Sequence, residues 1–318
     1  MFSKRLFVLP FMFLLLTKSF AQVSEYWVLD NLETYSPSSY YIIKQYKTNG
    51  TSISHGGSST SSSMNHLEFC DLTSIEKFLS TIATTVHETT HAFDSQIPYM
   101  LANQGSFIWN DGKSEGFYLD DFYKVAYKFP KNKLFPSVEL INTIPIELRT
   151  FRFPTYITSS SSNQSTQSEG IIGLMEEFNA YYHGSKVIFD LLPIYKEQYG
   201  DNFLWSWSSE FTSNADSFYE FDFFIKEYLL YAKANYPLLY EELKNDYNFK
   251  LIYKNIRSNF SNLINQYEKK YNEFTLSAKK GSGIVYSSSI HSNLIYPILA
   301  EHIKSSRYSE INSIFLSK

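Results

Sequence analysis

The sequence predicts an α+β fold that is predominantly helical. Residues 74–95, and those from about 214 onward, repeat apolar side chains at intervals of three and four, the spacing of an amphipathic helix. Residues 39–46 are instead rich in Tyr and Ile, which favour strands. We expect one unit with three parts: a small N-terminal β and loop region over 22–70, a core over 71–200 and a helical C-terminal subdomain over 201–318.

The first 21 residues are predicted to be a signal peptide. Lys4 and Arg5 precede an apolar run over residues 6–16, and a small-x-small cleavage pattern ends at Ala21. The run is too short to span a bilayer as a helix, and no later stretch reaches about 18 apolar residues. We therefore expect a secreted or periplasmic protein that has no membrane partner.

Charge and cysteine content narrow the functional classes. Removal of Lys4, Arg5 and Lys18 with the signal peptide lowers Lys+Arg from 28 to 25 against 32 acidic residues, so the formal charge falls from −4 to −7. This acidic balance argues against nucleic acid as a partner. Cys70 is the only cysteine, so no intramolecular disulfide forms and a hydrophobic core must stabilise the fold. The sequence carries no signal for the oligomeric state.

Residues 74–95 form the clearest predicted helix. The segment Thr73-Ser74-Ile75-Glu76 has the pattern of a capping box, which marks a helix start. Apolar residues then follow on one helical face, at Ile75, Phe78, Leu79, Ile82 and Val86. The helix is expected to end before Pro98, because the residue preceding a proline is disfavoured in a helix.

Residues 87–91, near the end of this helix, read His-Glu-Thr-Thr-His. Side chains four residues apart lie on the same helix face, so His87 and His91 can offer two imidazole nitrogens to one metal ion. Glu88 then lies beside that ion. The pattern is short enough to occur by chance in a chain of this length, so the residues that flank it decide how specific it is.

The motif and its flanks resemble the zinc-binding helix of the zincin metallopeptidases. The longer zincin pattern asks for uncharged residues around the two histidines, and this chain has them at Thr84, Thr85, Thr89, Thr90, Ala92 and Phe93. The resemblance implies a zincin-like catalytic core, a bound Zn²⁺ and a peptide or protein substrate. It also implies hydrolysis by a zinc-activated water, with Glu88 as the general base.

A catalytic zinc site of this kind needs a third protein ligand. In metzincins a Gly and the third ligand follow the second His by three and six residues. Those positions are Asp94 and Ile97 here, so the metzincin class is excluded. The remaining common arrangement is that of the gluzincins, in which a Glu comes from a separate helix.

Residues 173–184 resemble the gluzincin glutamate helix, in which a small residue follows the ligand by three positions. Glu177 is followed by Ala180, whereas Glu176 is followed by Asn179. Glu177 is therefore the expected third ligand, and Glu176 remains the alternative.

Tyr181 occupies the position at which many gluzincins have an Asp that holds the first His ligand. We assign Tyr181 as the candidate donor that stabilises the oxyanion of the tetrahedral intermediate. Tyr182, His183 and His291 are alternatives for that donor. A second functional hypothesis is a catalytically inactive, secreted binding protein on a zincin scaffold with structural zinc, although the presence of Glu88 favours catalysis.

Three segments around the motif helices are predicted to lack helices. Residues 51–63 and 159–168 are rich in Ser and Thr, a composition typical of mobile surface loops. Residues 150–156 are predicted to be extended. In the C-terminal part, residues 215–234 and 252–271 carry helical apolar patterns, and Pro237 is expected to open another helix.

Overall fold

The computed structural model describes residues 22–109, 113–281 and 291–317, which are mostly helical and include two small antiparallel sheets. The predominantly helical α+β class is thereby confirmed, while the zincin-like core stays a prediction. The expected signal peptide, residues 1–21, lies outside the described residues. Within the described ranges, no helix has the length and apolar character that a membrane crossing requires.

In chain order the helices are α1 Glu25–Tyr35, α2 Pro37–Asn49, α3 Ile75–Asp94, α4 Ile97–Asn103, α5 Phe153–Tyr156, α6 Ser165–Ser168, α7 Ile171–Asp190, α8 Leu192–Tyr199, α9 Phe203–Ala215, α10 Ser217–Asn235, α11 Pro237–Asn245, α12 Tyr247–Gly281, α13 Ile295–His302 and α14 Ser309–Ile311. The strands are β1 Ser52–His55, β2 Ser58–Ser61, β3 Ser114–Tyr118 and β4 Lys124–Lys128. Short 3₁₀ segments are Ser137–Asn142, Ile146–Leu148, Gly200–Asn202 and Ser306–Tyr308, and Asn312–Leu316 is a π-helical turn.

The strand expected over residues 39–46 is wrong, because this segment lies inside helix α2. Pro37 occupies the first helical position, where its fixed φ angle and missing N–H are tolerated. Ile42, Ile43 and Tyr46 then fall on one buried face, which packs against α3. Burial of that face outweighs the strand preference of Tyr and Ile. The N-terminal region is thus mainly helical.

Other N-terminal and central segments also differ from expectation. Residues 51–63, predicted to be a mobile loop, contain the β1–β2 hairpin, whose turn places Gly56 and Gly57 at positive φ. The extended piece expected over 150–156 is wrong, because its second half forms α5. The polar segment 159–168 ends in α6, where Thr166 is buried and its hydroxyl donates a hydrogen bond to the carbonyl of Tyr156.

Helix α3 confirms the predicted motif helix. It begins at Ile75, one residue later than a capping box at Thr73 would give, because Ser74 is the residue that caps it: its Oγ accepts a hydrogen bond from the Lys77 amide at 3.2 Å. The apolar stripe packs against α2 and α7. The metal motif therefore occupies the last turns of a helix held on two sides.

Helix α7 lies at the centre of the packing, in contact with α3, α9, α10 and α12. Most of its residues are buried, as expected for a helix covered on all sides. The C-terminal helices α10, α11 and α12 confirm the predicted apolar faces, and α11 begins at Pro237. Helices α10 and α12 pack directly against α7, and α11 packs against α10 and α12.

Helices α3 and α7 approach closely at Gly184. A Cβ atom at this position would lie 3.0 Å from the carbonyl oxygen of Ala83 and 3.6 Å from the Cβ of His87. The first distance is tighter than ordinary van der Waals contact and involves rigid backbone. Glycine therefore sets the separation between the two helices that carry the predicted ligands.

Gly184→Ala is expected to destabilise the protein by about 1–3 kcal/mol, the usual cost of overpacking, and to weaken zinc binding by pushing α7 away from α3. The direction of the change in unfolding free energy is informative, because Gly→Ala inside a helix ordinarily stabilises a protein by about 1 kcal/mol. Thermal denaturation and zinc titration measure the two effects. A variant that is more stable than the parent and binds zinc equally well contradicts this close approach.

Candidate metal centre

Three of the predicted site residues converge between α3 and α7. The Nε2 atoms of His87 and His91 are 3.1 Å apart, and they lie 3.4 Å and 3.5 Å from Oε2 of Glu177, respectively. His87 and Glu177 are buried, and His91 is partly buried. Within the described residues, these three form a group that could hold a metal ion.

The donor atoms fit a tetrahedral zinc ion. Zinc bonds of about 2.0–2.1 Å place neighbouring ligand atoms of a tetrahedron about 3.3–3.4 Å apart, close to the three separations found here. Oε2 of Glu177 is buried and has no hydrogen-bond partner among the described residues, although buried carboxylate oxygens normally have one. A cation at the shared point would satisfy this oxygen, which faces two imidazoles.

Charge also favours a cation at this point. Burial opposes ionisation of Glu177, yet the imidazoles of His91 and His87 hold the pKa of its carboxyl well below the usual range. Burial likewise opposes the charge on His91, but Glu177 and Glu176 raise its pKa well above the ordinary value. The site therefore attracts a proton when no metal is bound. A metal ion bound here would release such a proton, because a ligating imidazole must be neutral.

The structure distinguishes the two candidate glutamates. Glu177 points an oxygen at both Nε2 atoms, whereas Oε1 of Glu176 lies 3.2 Å from Nδ1 of His91, on the other side of the ring. When a carboxylate is hydrogen-bonded to the ring nitrogen of a ligating His that does not bind the metal, it fixes the tautomer and the orientation of the ring. Glu176 therefore orients His91, and Glu177 is the residue placed to ligate. The sequence indicated both glutamates but not this division of roles.

Glu176→Gln is expected to weaken zinc affinity by roughly 10- to 100-fold, as is typical when the hydrogen-bond partner of a ligating His is altered. The neutral amide keeps the size of the side chain but removes the negative charge that makes the imidazole a better ligand. Competition with a chromogenic chelator measures the affinity. Glu197→Gln, on the next helix, is the control and should leave the affinity unchanged; an equal effect of both variants contradicts the role of Glu176.

Glu88 lies beside this site. Its half-buried side chain lines a cavity of about 130 Å³ together with His87, Tyr181 and Tyr156. Ala83, Thr84 and Asn214 complete the wall. Glu88 thus borders the same space as His87 while remaining outside the three-residue group.

Tyr181, the candidate donor, lines the same cavity as Glu88. Its ring contacts His87, with ring centroids 4.5 Å apart, and its hydroxyl is 3.1 Å from that of Tyr156. Burial and the charge of Glu177 raise the pKa of Tyr156, so its hydroxyl keeps its proton. Tyr156 was not singled out in the sequence, because it belongs to a different segment and 26 Tyr residues give no single one a signal.

The alternative donors have other partners. The hydroxyl of Tyr182 donates to Asp120, and Nε2 of His183 bonds the carbonyl of Tyr118 at 2.9 Å. Burial lowers the pKa of His183 to about 4, so this ring is neutral. His291 lies 2.9 Å from Asp216. Tyr181 is therefore the candidate that lines the cavity beside Glu88.

A buried clamp fixes the end of the motif helix. Oδ1 of Asp94 accepts a hydrogen bond from the Tyr118 amide at 2.8 Å, and Oδ2 accepts one from the Asn179 side chain at 2.9 Å. The Asn179 amide also donates to the Tyr118 carbonyl. Asp94 thus ties α3 to β3 and α7. It lies three residues after His91, and its partner Asn179 lies two residues after Glu177. In the sequence, Asp94 was informative only because it stands where a metzincin has Gly; its role in this clamp was not predicted.

The geometry confirms a coarser statement than the zincin resemblance: a buried His87, His91 and Glu177 group that could hold a metal ion. The identity of that ion, the zincin fold and the reaction remain predictions. A scan of protein-family models, a search of curated proteins and a search of solved structures each found no match for this chain.

Proposed function

We propose that this chain is an exported, zinc-dependent metallopeptidase that hydrolyses peptide bonds. The observation that carries the proposal is the convergence of His87, His91 and Glu177, with an unpartnered buried oxygen on Glu177. The presence of Glu88 in the adjoining cavity directs the proposal towards hydrolysis rather than metal binding alone. The zincin resemblance supplies peptides as the substrate class.

Glu88 acts as the general base and then as the general acid. A zinc ion, when bound, supplies Lewis-acid chemistry that makes a carbonyl carbon more electrophilic and water a stronger acid. Glu88 accepts the proton of the attacking water and transfers it to the leaving amine, a contribution of roughly 10² to 10⁴ in rate. Its position next to His87 in the chain, yet outside the ligand group, suits that exchange.

Tyr181 stabilises the negative charge that develops on the carbonyl oxygen. Tyr156 can donate its hydroxyl proton to the Tyr181 oxygen, which leaves the Tyr181 hydroxyl proton free to point into the cavity. Hydrogen bonds arranged in such a chain polarise one another, so the terminal donor becomes stronger. Fixed donors of this kind act mainly on the transition state, where the oxygen is most negative.

The alternative is a secreted binding protein that carries structural zinc and performs no chemistry. The small cavity and the burial of the ligands favour this alternative, since a catalytic site must admit a polypeptide. Against it, structural zinc sites are normally closed by four protein ligands, whereas three converge here among the described residues. A vacant fourth position is the mark of a catalytic site.

A peptide-library experiment separates the two functions. The purified chain is assayed for metal content and for cleavage of the library, before and after zinc removal by a chelator. We expect about one zinc per chain and cleavage that disappears with the metal and returns with added zinc. Stoichiometric zinc with every peptide uncut supports the binding protein instead. A chain that binds no zinc contradicts both functions.

A further inference from the structure

We propose that Arg152 is a positioning residue, which holds the Tyr181 ring so that its hydroxyl faces the cavity beside Glu88. The inference rests on the proposed peptidase function. Arg152 is neither among the residues that line the cavity nor a member of the candidate ligand group. It acts through Tyr181, and nothing in the sequence pattern distinguishes it.

The contact is between the guanidinium group and the aromatic ring. The guanidinium carbon of Arg152 lies 4.5 Å from the centre of the Tyr181 ring, within the range of a cation–π interaction. The same ring contacts His87 and, at 5.4 Å between centroids, Phe221. Tyr181 is therefore held between a ligand-bearing helix and a fixed cation, although its own side chain is only partly buried.

Arg152 is itself fixed by a buried network. Nη1 donates to Oε2 of Glu220 at 2.9 Å, and Nη2 donates to the carbonyl of Ser213 at 2.8 Å. The Tyr296 hydroxyl donates to the other oxygen of Glu220 at 3.1 Å. The side chain of Arg152 is 9% exposed and that of Glu220 is fully buried. Residues of α7, α9 and α10 thus contact one guanidinium, and Tyr296 of α13 supports it through Glu220.

This network is a poor way to stabilise a fold. Desolvating two buried charges costs several kcal/mol, and well-packed apolar residues often serve equally well. Nε of Arg152 is buried and has no acceptor among the described residues, which adds a further cost. A planar cation against a ring beside the proposed site is instead suited to fixing an aromatic donor, since guanidinium stacks on aromatic faces as ammonium does not.

The effect of losing this contact should appear in turnover. Misplacing a catalytic group by about 1 Å can cost 10²-fold in rate. Because Tyr181 acts on the transition state, kcat is expected to fall by roughly 10- to 100-fold while KM changes little. The ordering of Tyr181 should also be lost in the absence of any substrate.

The test is a double-mutant cycle between Tyr181→Phe and the paired change Arg152→Gln with Glu220→Gln, which removes both buried charges together. The paired change should lower kcat by roughly 10- to 100-fold in the parent. In the Tyr181→Phe background it should lower kcat by less than about twofold, because Arg152 acts through the Tyr181 hydroxyl that this background lacks. Equal losses in both backgrounds overturn the proposal. Arg149→Gln is the control, since Arg149 stacks on Phe153 and should leave kcat unchanged.

A second measurement does not depend on activity. Tyrosine-labelled NMR of the zinc-loaded protein should show slow flipping of the Tyr181 ring in the parent and fast flipping in the paired variant, and an unchanged rate overturns the proposal. If the paired variant does not fold, Arg152→Lys replaces it in both measurements, because it keeps the charge beside Glu220 and removes the planar group. A parent protein that cuts no peptide contradicts the proposed function, whereas the ring measurement still decides the role of Arg152.

Discussion

Glu88→Gln is expected to remove most peptide hydrolysis while leaving zinc bound. The amide has nearly the size of the carboxylate but cannot accept the proton of the attacking water, so a rate loss of roughly 10² to 10⁴ in kcat is expected. The three residues placed to hold the ion do not include Glu88, and zinc affinity should remain close to that of the parent. Steady-state kinetics and metal analysis of the same preparation measure both quantities.

The matched control is Glu76→Gln, which makes the same chemical change on an exposed position in the first turn of α3. It should leave kcat, KM and zinc content unchanged. Cleavage by Glu88→Gln at the parental rate would show that the proton acceptor is another group. Loss of zinc together with activity would show that Glu88 participates in holding the ion, and the proposed mechanism would then be wrong.

The motif helix could be predicted because local and periodic signals agree there. The capping-box pattern over residues 73–76, the apolar stripe and the 87–91 motif all indicate one helix, and the structure has α3 at Ile75–Asp94 with Ser74 as its cap. Helix α2 could not be predicted in this way. Its Tyr and Ile residues favour a strand locally, and only their burial against α3 makes the helix more favourable.

The ligand group was also accessible from sequence, since i and i+4 spacing brings His87 and His91 together within one helix. Pairing with Glu177 required the resemblance, because 85 residues separate it from the second histidine. The supporting residues Glu176, Asp94 and Arg152 act across element boundaries. Their partners are set by how α3, α7 and α10 pack, which no local pattern encodes.

Glu177→Ala is expected to have the largest effect on metal content. Even an outer hydrogen-bond partner of a ligating His accounts for roughly 10- to 100-fold in affinity, so removal of a ligand should cost more than about 100-fold. Peptide cleavage should be lost with the metal. Elemental analysis after dialysis against trace zinc is expected to show about one zinc in the parent, a reduced content in Glu176→Ala and essentially none in Glu177→Ala.

Thermal denaturation provides the decisive comparison. Zinc that binds only the folded protein stabilises it by about 2.7 kcal/mol at 100 times Kd, so added zinc should raise the Tm of the parent. Glu177→Ala should lose this zinc-dependent increase in Tm. A packing defect would lower the Tm with and without zinc alike, so the difference between the two Tm values reports zinc binding alone. Glu169→Ala, a change of a nearby carboxylate that lies outside the ligand group, should retain the increase. If Glu177→Ala keeps stoichiometric zinc and Glu176→Ala loses it, the ligand is Glu176, and α7 must rotate about its axis when the ion binds.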